Sequence, residues 1–123
     1  MYKPQGYTDV SPYLIVEDAQ ATLDFLARVF AAEALRVHRD ESGIIRHGEA
    51  QVGDSVVMVG QADGGTDAHI HVYVADPDDA FNRAIAAGAK IIQPLDLQPD
   101  GDRRGGVRDA NGTNWWIASQ RGE

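Results

Sequence analysis

A chain of 123 residues with 43% apolar and 24% charged positions has the size and composition of a single globular domain, which excludes a disordered chain. Its formal charge of −8 arises from 19 acidic against 11 scattered basic residues, so neither nucleic acid nor an anionic membrane is an expected partner. Cysteine is absent, which removes disulfides, thiolate catalysis and sulfur-ligated metals and leaves His, Asp and Glu as the only strong metal donors.

The N-terminal MYKPQGYTDV carries neither the basic segment nor the apolar core of a signal peptide, and no apolar run approaches the about 18 residues of a membrane span. A cytoplasmic location is the expectation. The first strand is predicted in SPYLIV, where Pro12, Leu14 and Val16 alternate with Ser11, Tyr13 and Ile15. Asp18 is the expected N-cap of a helix whose buried stripe is Leu23, Leu26 and Phe30. ALRVHR then predicts a strand, followed by a hairpin of IIRHGEAQV and SVVMVG around the Gly53-Asp54 turn. A two-residue loop sets the register, pairing Glu49 with Met58, His47 with Gly60 and Gln51 with Val56.

After the Gly- and Asp-rich joint QADGGTD (61 to 67), the pattern starts again. HIHVYV is a strand; Asp76 caps a helix with Pro77 at its first position and Phe81, Ala84 and Ile85 toward the core; Gly88 ends it. AKIIQP, the Gly-rich stretch LDLQPDGDRRGGVRD, a turn at Asn111-Gly112 and NWWIAS complete the chain. Laid over one another at an offset of 58, the halves match Val16 with Val74, Asp18 with Asp76 and Leu23 with Phe81. The expected fold class is α+β: two tandem βαβββ units, about 9 to 60 and 68 to 120, forming curved mixed sheets around a cavity.

One helix covers one face of each sheet. Alternation then assigns Ser11, Tyr13, His47, Glu49, Gln51, Met58, His69, His71, Tyr73, Asn114 and Trp116 to the open faces, a convergence of polar and aromatic groups suited to a small molecule. Trp115 and Ile117 turn to the core.

The segments PYLIVEDAQATLDFLARVF, HGEAQVGDSVVMV, HIHVYVADPDDAFNRAIAAGA and GDRRGGVRDANGTNWWIAS together resemble the vicinal oxygen chelate superfamily, that of glyoxalase I, bleomycin resistance proteins and extradiol dioxygenases. The pattern is most similar to the PhnB-like group. The resemblance implies a homodimer and a small-molecule ligand. In metal-dependent members it also implies four ligands: a His in the first strand, Glu or His in the fourth, His in the fifth and Glu in the eighth. Here those positions hold Ser11, Met58, His69 and Trp116. One match of four argues against the usual divalent metal, so no cofactor is expected.

Two further readings stay open. A rearranged metal site would draw on His69 with His47, Glu49 or His71, and would support a glyoxalase-type lyase or a dioxygenase. Metal-free catalysis would use Glu49, its pKa raised by burial, as general base with His47 or His69 as acid. Against both stands binding without chemistry, with Tyr13, Tyr73 and Trp116 as stacking surfaces near Glu49. Arg104 and Arg108 could meet an anion, although pairing of Arg108 with Asp109 or a surface acid is the simpler expectation. The Gly-rich GDRRGGVRDANG lies within a strand-turn-strand unit and is not a phosphate loop.

Overall fold

A computed structural model describes residues 2 to 120, which divide between Thr66 and Asp67 into two compact units. Unit 1 contains β1 (Tyr13–Val16), α1 (Ala19–Phe30), β2 (Glu33–Arg39), β3 (Ile45–Val52) and β4 (Ser55–Gln61), its sheet ordered β1-β4-β3-β2. Unit 2 repeats the plan with β5 (Ala68–Tyr73), α2 (Pro77–Ala86), β6 (Lys90–Leu97), β7 (Asp102–Arg108) and β8 (Thr113–Gln120), ordered β5-β8-β7-β6. In each sheet the first strand runs parallel to the last while the other pairs are antiparallel. A parallel pair needs a long crossover, and the helix lies within it. Among the described residues no helix is long and apolar enough to cross a membrane.

Both helices start on an aspartate. The Asp18 carboxylate accepts from the Ala21 N–H at 3.1 Å and that of Asp76 from the Asp79 N–H at 3.1 Å, each satisfying a donor that the first turn leaves unpaired. Pro77 opens α2, and Asp78 and Asp79 suit the positive end of its dipole. The buried face of α1 is wider than expected, comprising Thr22, Leu23, Phe25, Leu26 and Val29. Phe30 is only half-buried, set edge-on to Phe25 with ring centroids 6.4 Å apart. On α2 the expectation for Ile85 fails: it is 40% exposed. Pro77, Ala80, Phe81 and Ala84 already make a complete i, i+3, i+4, i+7 stripe, and Ile85 falls at its margin.

The β3–β4 hairpin has the anticipated register, with Glu49 opposite Met58 and Gln51 opposite Val56, and Gly53 supplies the positive φ of 58° that the turn requires. The second hairpin differs from its sequence-based outline. β6 runs through Pro94 to Leu97, and β7 occupies Asp102 to Arg108 of the Gly-rich stretch. Proline is tolerated because β6 is an edge strand whose register slips between Ile91 and Gln93 and again between Gln93 and Asp96.

The turn into β8 is built on Asp109. Its Oδ1 accepts from the N–H groups of Asn111 (2.9 Å) and Thr113 (3.0 Å), and its Oδ2 from the Trp115 indole (2.9 Å). Trp115, fully buried, and Ile117 form the core of unit 2, as alternation along the strand requires.

Candidate functional site

The open face of unit 1 carries a buried carboxylate. Leu14 and Val16 of β1 are buried on the helix side, which sends Tyr13 to the other face, where it is 48% exposed. Alternation along β3 places His47, Glu49 and Gln51 on that face, and Met58 of β4 lies opposite Glu49. Ser11 precedes β1 and is half-buried. Gln51 bends back to its own hairpin, donating to the Gly53 carbonyl at 3.3 Å.

Glu49 is only 2% exposed, yet its carboxylate is well supplied with donors. His47 Nε2 lies 2.7 Å from its Oε2, the Tyr7 phenol donates to Oε1, and the backbone N–H of Arg36 donates as well. Burial pushes Glu49 up, but the hydrogen bonds from Tyr7 and His47, the His47 charge and the Arg36 N–H together hold it below the ordinary glutamate value. This corrects the expectation of a raised pKa. Desolvation alone would have produced a base, whereas three donors make a stable anion.

An ionised carboxylate only accepts, so Nε2 of His47 carries the hydrogen of this bond, and Nδ1 faces the Tyr13 hydroxyl at 3.3 Å. The hydrogen bond to Glu49 raises the Tyr7 phenol above the ordinary tyrosine value, lost water and the carboxylate charge add to the shift, and Arg36 opposes it. Glycine makes room for Tyr13: a Cβ at Gly60 would lie 3.0 Å from its hydroxyl oxygen.

Unit 2 offers an aromatic face. His69, His71 and Tyr73 are exposed along β5, and Trp116 of β8 pairs with His71 in the parallel register. The Trp116 ring lies beside His69 with planes 15° from parallel and centroids 6.2 Å apart, while His71 meets Tyr73 edge-on at 4.6 Å. The Tyr73 hydroxyl donates to the buried Asp102 at 2.9 Å, and Asp102 in turn pairs with Arg104 at 3.2 Å. The bond to Asp102 raises the Tyr73 phenol, with desolvation and the nearby carboxylates adding and Arg104 opposing.

Asn114 lies on this face but is 4% exposed, and both ends of its amide are occupied. Nδ2 donates to the Ala68 carbonyl at 3.1 Å and Oδ1 accepts from Arg108 at 3.0 Å. Both groups of its amide are thus engaged within the protein. Arg108 also pairs with Asp67 at 3.1 Å and Arg104 with Asp100 at 3.1 Å, so both guanidiniums that might have met an anion are engaged by aspartates.

The four positions at which the resemblance implies metal ligands do not fit a metal. A hydroxyl at Ser11, a thioether at Met58 and an indole at Trp116 replace imidazole and carboxylates. The Trp116 indole N–H donates to Nδ1 of His69 at 3.1 Å, which leaves the proton of the neutral ring on Nε2 and no free lone pair on either nitrogen. Among the described residues no group of three or more His, Asp or Glu is placed to hold an ion.

Sequence patterns had no means of reporting Tyr7, Arg36 or Asp102. Tyr7 sits outside any periodic segment and meets Glu49 across 42 residues. Asp102 is buried only because Tyr73 and Arg104 close over it.

The profile of the family described as Glyoxalase/Bleomycin resistance protein/Dioxygenase superfamily matches residues 8–117. TioX from Micromonospora sp. ML1 is 33% identical, with a TM-score of 0.79 over 93% of this chain and 99% of that one. The fosfomycin resistance protein FosX from Listeria monocytogenes, at 19% identity and a TM-score of 0.77 over 93% and 94% of the two chains, shares the fold. The uncharacterized protein Mb0911c of Mycobacterium bovis is 32% identical over 120 residues, 86% of this chain and 79% of its own length. With the tandem βαβββ units in place, these matches establish that the chain belongs to the glyoxalase/bleomycin resistance protein/dioxygenase superfamily.

Proposed function

We propose that the protein binds a small, planar organic molecule through the aromatic and polar open faces of its sheets and does so without the metal used by many members of its family. The observation that carries this reading is the Trp116–His69 pair, which places a hydrogen-bonded indole where the resemblance implies a carboxylate in metal-dependent members. Stacking surfaces of this kind favour flat ligands and tolerate variety in their substituents. The FosX name, a fosfomycin resistance protein, belongs to a neighbour whose low identity supports the fold alone.

Binding is preferred over catalysis because Glu49, the buried carboxylate on the unit 1 face, has a depressed pKa and makes a weak base near neutral pH. The closing motif GDRRGGVRDANGTNWWIAS supports the PhnB-like group. The proposed partner is a second copy of the chain. Edge strand β6 presents Ile91, Ile92 and Leu97 at 52%, 41% and 56% exposure, which a homodimer contact would cover.

A melting-shift screen of planar heteroaromatic compounds, followed by titration of Trp fluorescence, tests the reading. Compounds that stabilise the wild type and lose their effect in Trp116→Ala support it. Retention of a stoichiometric transition metal that disappears in His69→Ala would overturn it in favour of a metal-dependent lyase or dioxygenase.

A further inference from the structure

Among the described residues, the N-terminal segment reaches the sheet of unit 1 through the side chain of Tyr7. Residues 2 to 11 form no helix or strand, and their other contacts are local: Lys3 and Tyr2 with Asp9, the Tyr7 N–H with the Pro4 carbonyl, and the Thr8 hydroxyl with the Val10 carbonyl. Among the described residues, the hydrogen bond that joins this segment to the sheet is that of the Tyr7 phenol with Glu49, backed by the Arg36 guanidinium 5.4 Å from the centre of the Tyr7 ring. The receiving surface, by contrast, is built from strands: Glu49 and His47 on β3 and Arg36 on β2, with Tyr13 of β1 against His47.

We propose that this surface is a binding site for a phenol, and that Tyr7 occupies it as an internal stand-in for the ligand. The proposal rests on the small-molecule reading above and names the class of molecule for the unit 1 face. The chemistry selects a phenol over other donors. Glu49, nearly fully buried, demands a donor, which an apolar ring lacks. An ammonium or guanidinium would satisfy the carboxylate but would bring like charge beside Arg36, whereas an electron-rich ring attracts that cation to its face. A hydroxyl on an aromatic ring meets both conditions, as Tyr7 itself does. Because Tyr7 is tethered, it competes at an effective concentration on the order of millimolar, so a free phenol binds the wild-type chain weakly until the competitor is removed.

The test is chemical complementation of the full-length protein with p-cresol, the tyrosine side chain in free form, alongside p-xylene and benzylamine as ring-only and cationic controls. Binding is read from amide shifts of β3 and from the melting temperature. Tyr7→Ala should bind p-cresol about tenfold or more tightly than wild type and regain lost stability. Adding Glu49→Gln should remove that gain, and neither control should reproduce it. In wild type, excess p-cresol should move the amide signals of residues 2 to 10 toward those of a free chain. Tyr7→Phe, which keeps the ring and loses only the hydroxyl, should show a smaller increase in p-cresol affinity and guards against a misfolded alanine variant.

Equal binding of p-xylene and p-cresol would mean a mere apolar hole and overturn the proposal, as would absence of p-cresol binding to both Tyr7 variants or preference for benzylamine. Trp116→Ala separates the two readings. Loss of planar ligands there with p-cresol complementation intact supports both, and p-cresol failure in both Tyr7 variants while wild type still binds planar ligands in a Trp116-dependent way sinks only the phenol site.

Discussion

The Trp116 indole donates to Nδ1 of His69 at 3.1 Å, with the two rings 15° from parallel. A donor-only group thus stands at the position where the family resemblance implies a carboxylate ligand. Protein purified without chelator and then offered zinc, manganese or iron should hold well under one equivalent, and His69→Ala should not change that content. Elemental analysis after dialysis provides the check. Trp116→Phe keeps an aromatic ring and removes the donor, and should cost about 0.5 to 1.5 kcal/mol in chemical denaturation, the usual worth of one hydrogen bond.

Glu49 links acidity to stability. Its folded pKa lies below the unfolded value of 4.5, so its contribution is fully present above that pH and is lost as pH falls through the folded value. The stability difference between wild type and Glu49→Gln should therefore shrink as pH falls below about 4.5 and level off above it. Glu49→Ala, which leaves the Tyr7 and His47 donors without their acceptor, should cost about 2 to 3 kcal/mol at neutral pH. Urea denaturation across pH tests both, and a difference that grows on acidification would contradict the sign.

Gly106 lies beneath the Trp116 ring. A Cβ there would come within 2.6 Å of the indole and 2.9 Å of Ile92, and the residue has no positive φ to complicate the comparison. Gly106→Ala should destabilise by about 1 to 3 kcal/mol through overpacking and displace the indole. Loss of near-ultraviolet circular dichroism from tryptophan, together with weaker planar-ligand binding, is the expected signature.

Asp109 serves two N–H groups of its turn and the buried Trp115 indole at once. Asp109→Ala strands all three, and a loss of about 2 to 4 kcal/mol is expected. Asp109→Asn, which retains one acceptor oxygen, should fall between the two in thermal unfolding.

Ala31, which caps α1, is the single non-glycine among the described residues with positive φ, at 54°. Glycine relieves the Cβ strain there but loses more freedom on folding, and the left-handed cap position favours it on balance. Ala31→Gly should stabilise the protein by about 0.5 to 1 kcal/mol, visible as a higher melting temperature.

Patterns of short range were legible without coordinates. The repeat at an offset of 58, the Asp18 and Asp76 caps and the Glu49–Met58 register each follow from residues adjacent in sequence or joined by a two-residue turn. Alternation also placed Trp115 inside and Trp116 on the open face, because the side-chain period of a strand is two. The same rules misjudged Ile85 and Phe30, since periodicity gives a direction around a helix and not the width of the sheet beneath it.

The amino-acid sequence by itself determined the two βαβββ units, the family, and which residues face away from the helices, because local backbone preferences and hydrophobic alternation are written residue by residue. Only the tertiary structure decided what those residues do to one another. Asn114 became a satisfied internal amide and Arg108 a partner of Asp67. Glu49 became a depressed carboxylate in place of a desolvated base, because a phenol 42 residues away in an irregular segment reaches it. The sign of a buried group's pKa depends on how many donors arrive from elsewhere in the chain, a count that contacts through space supply and sequence spacing does not.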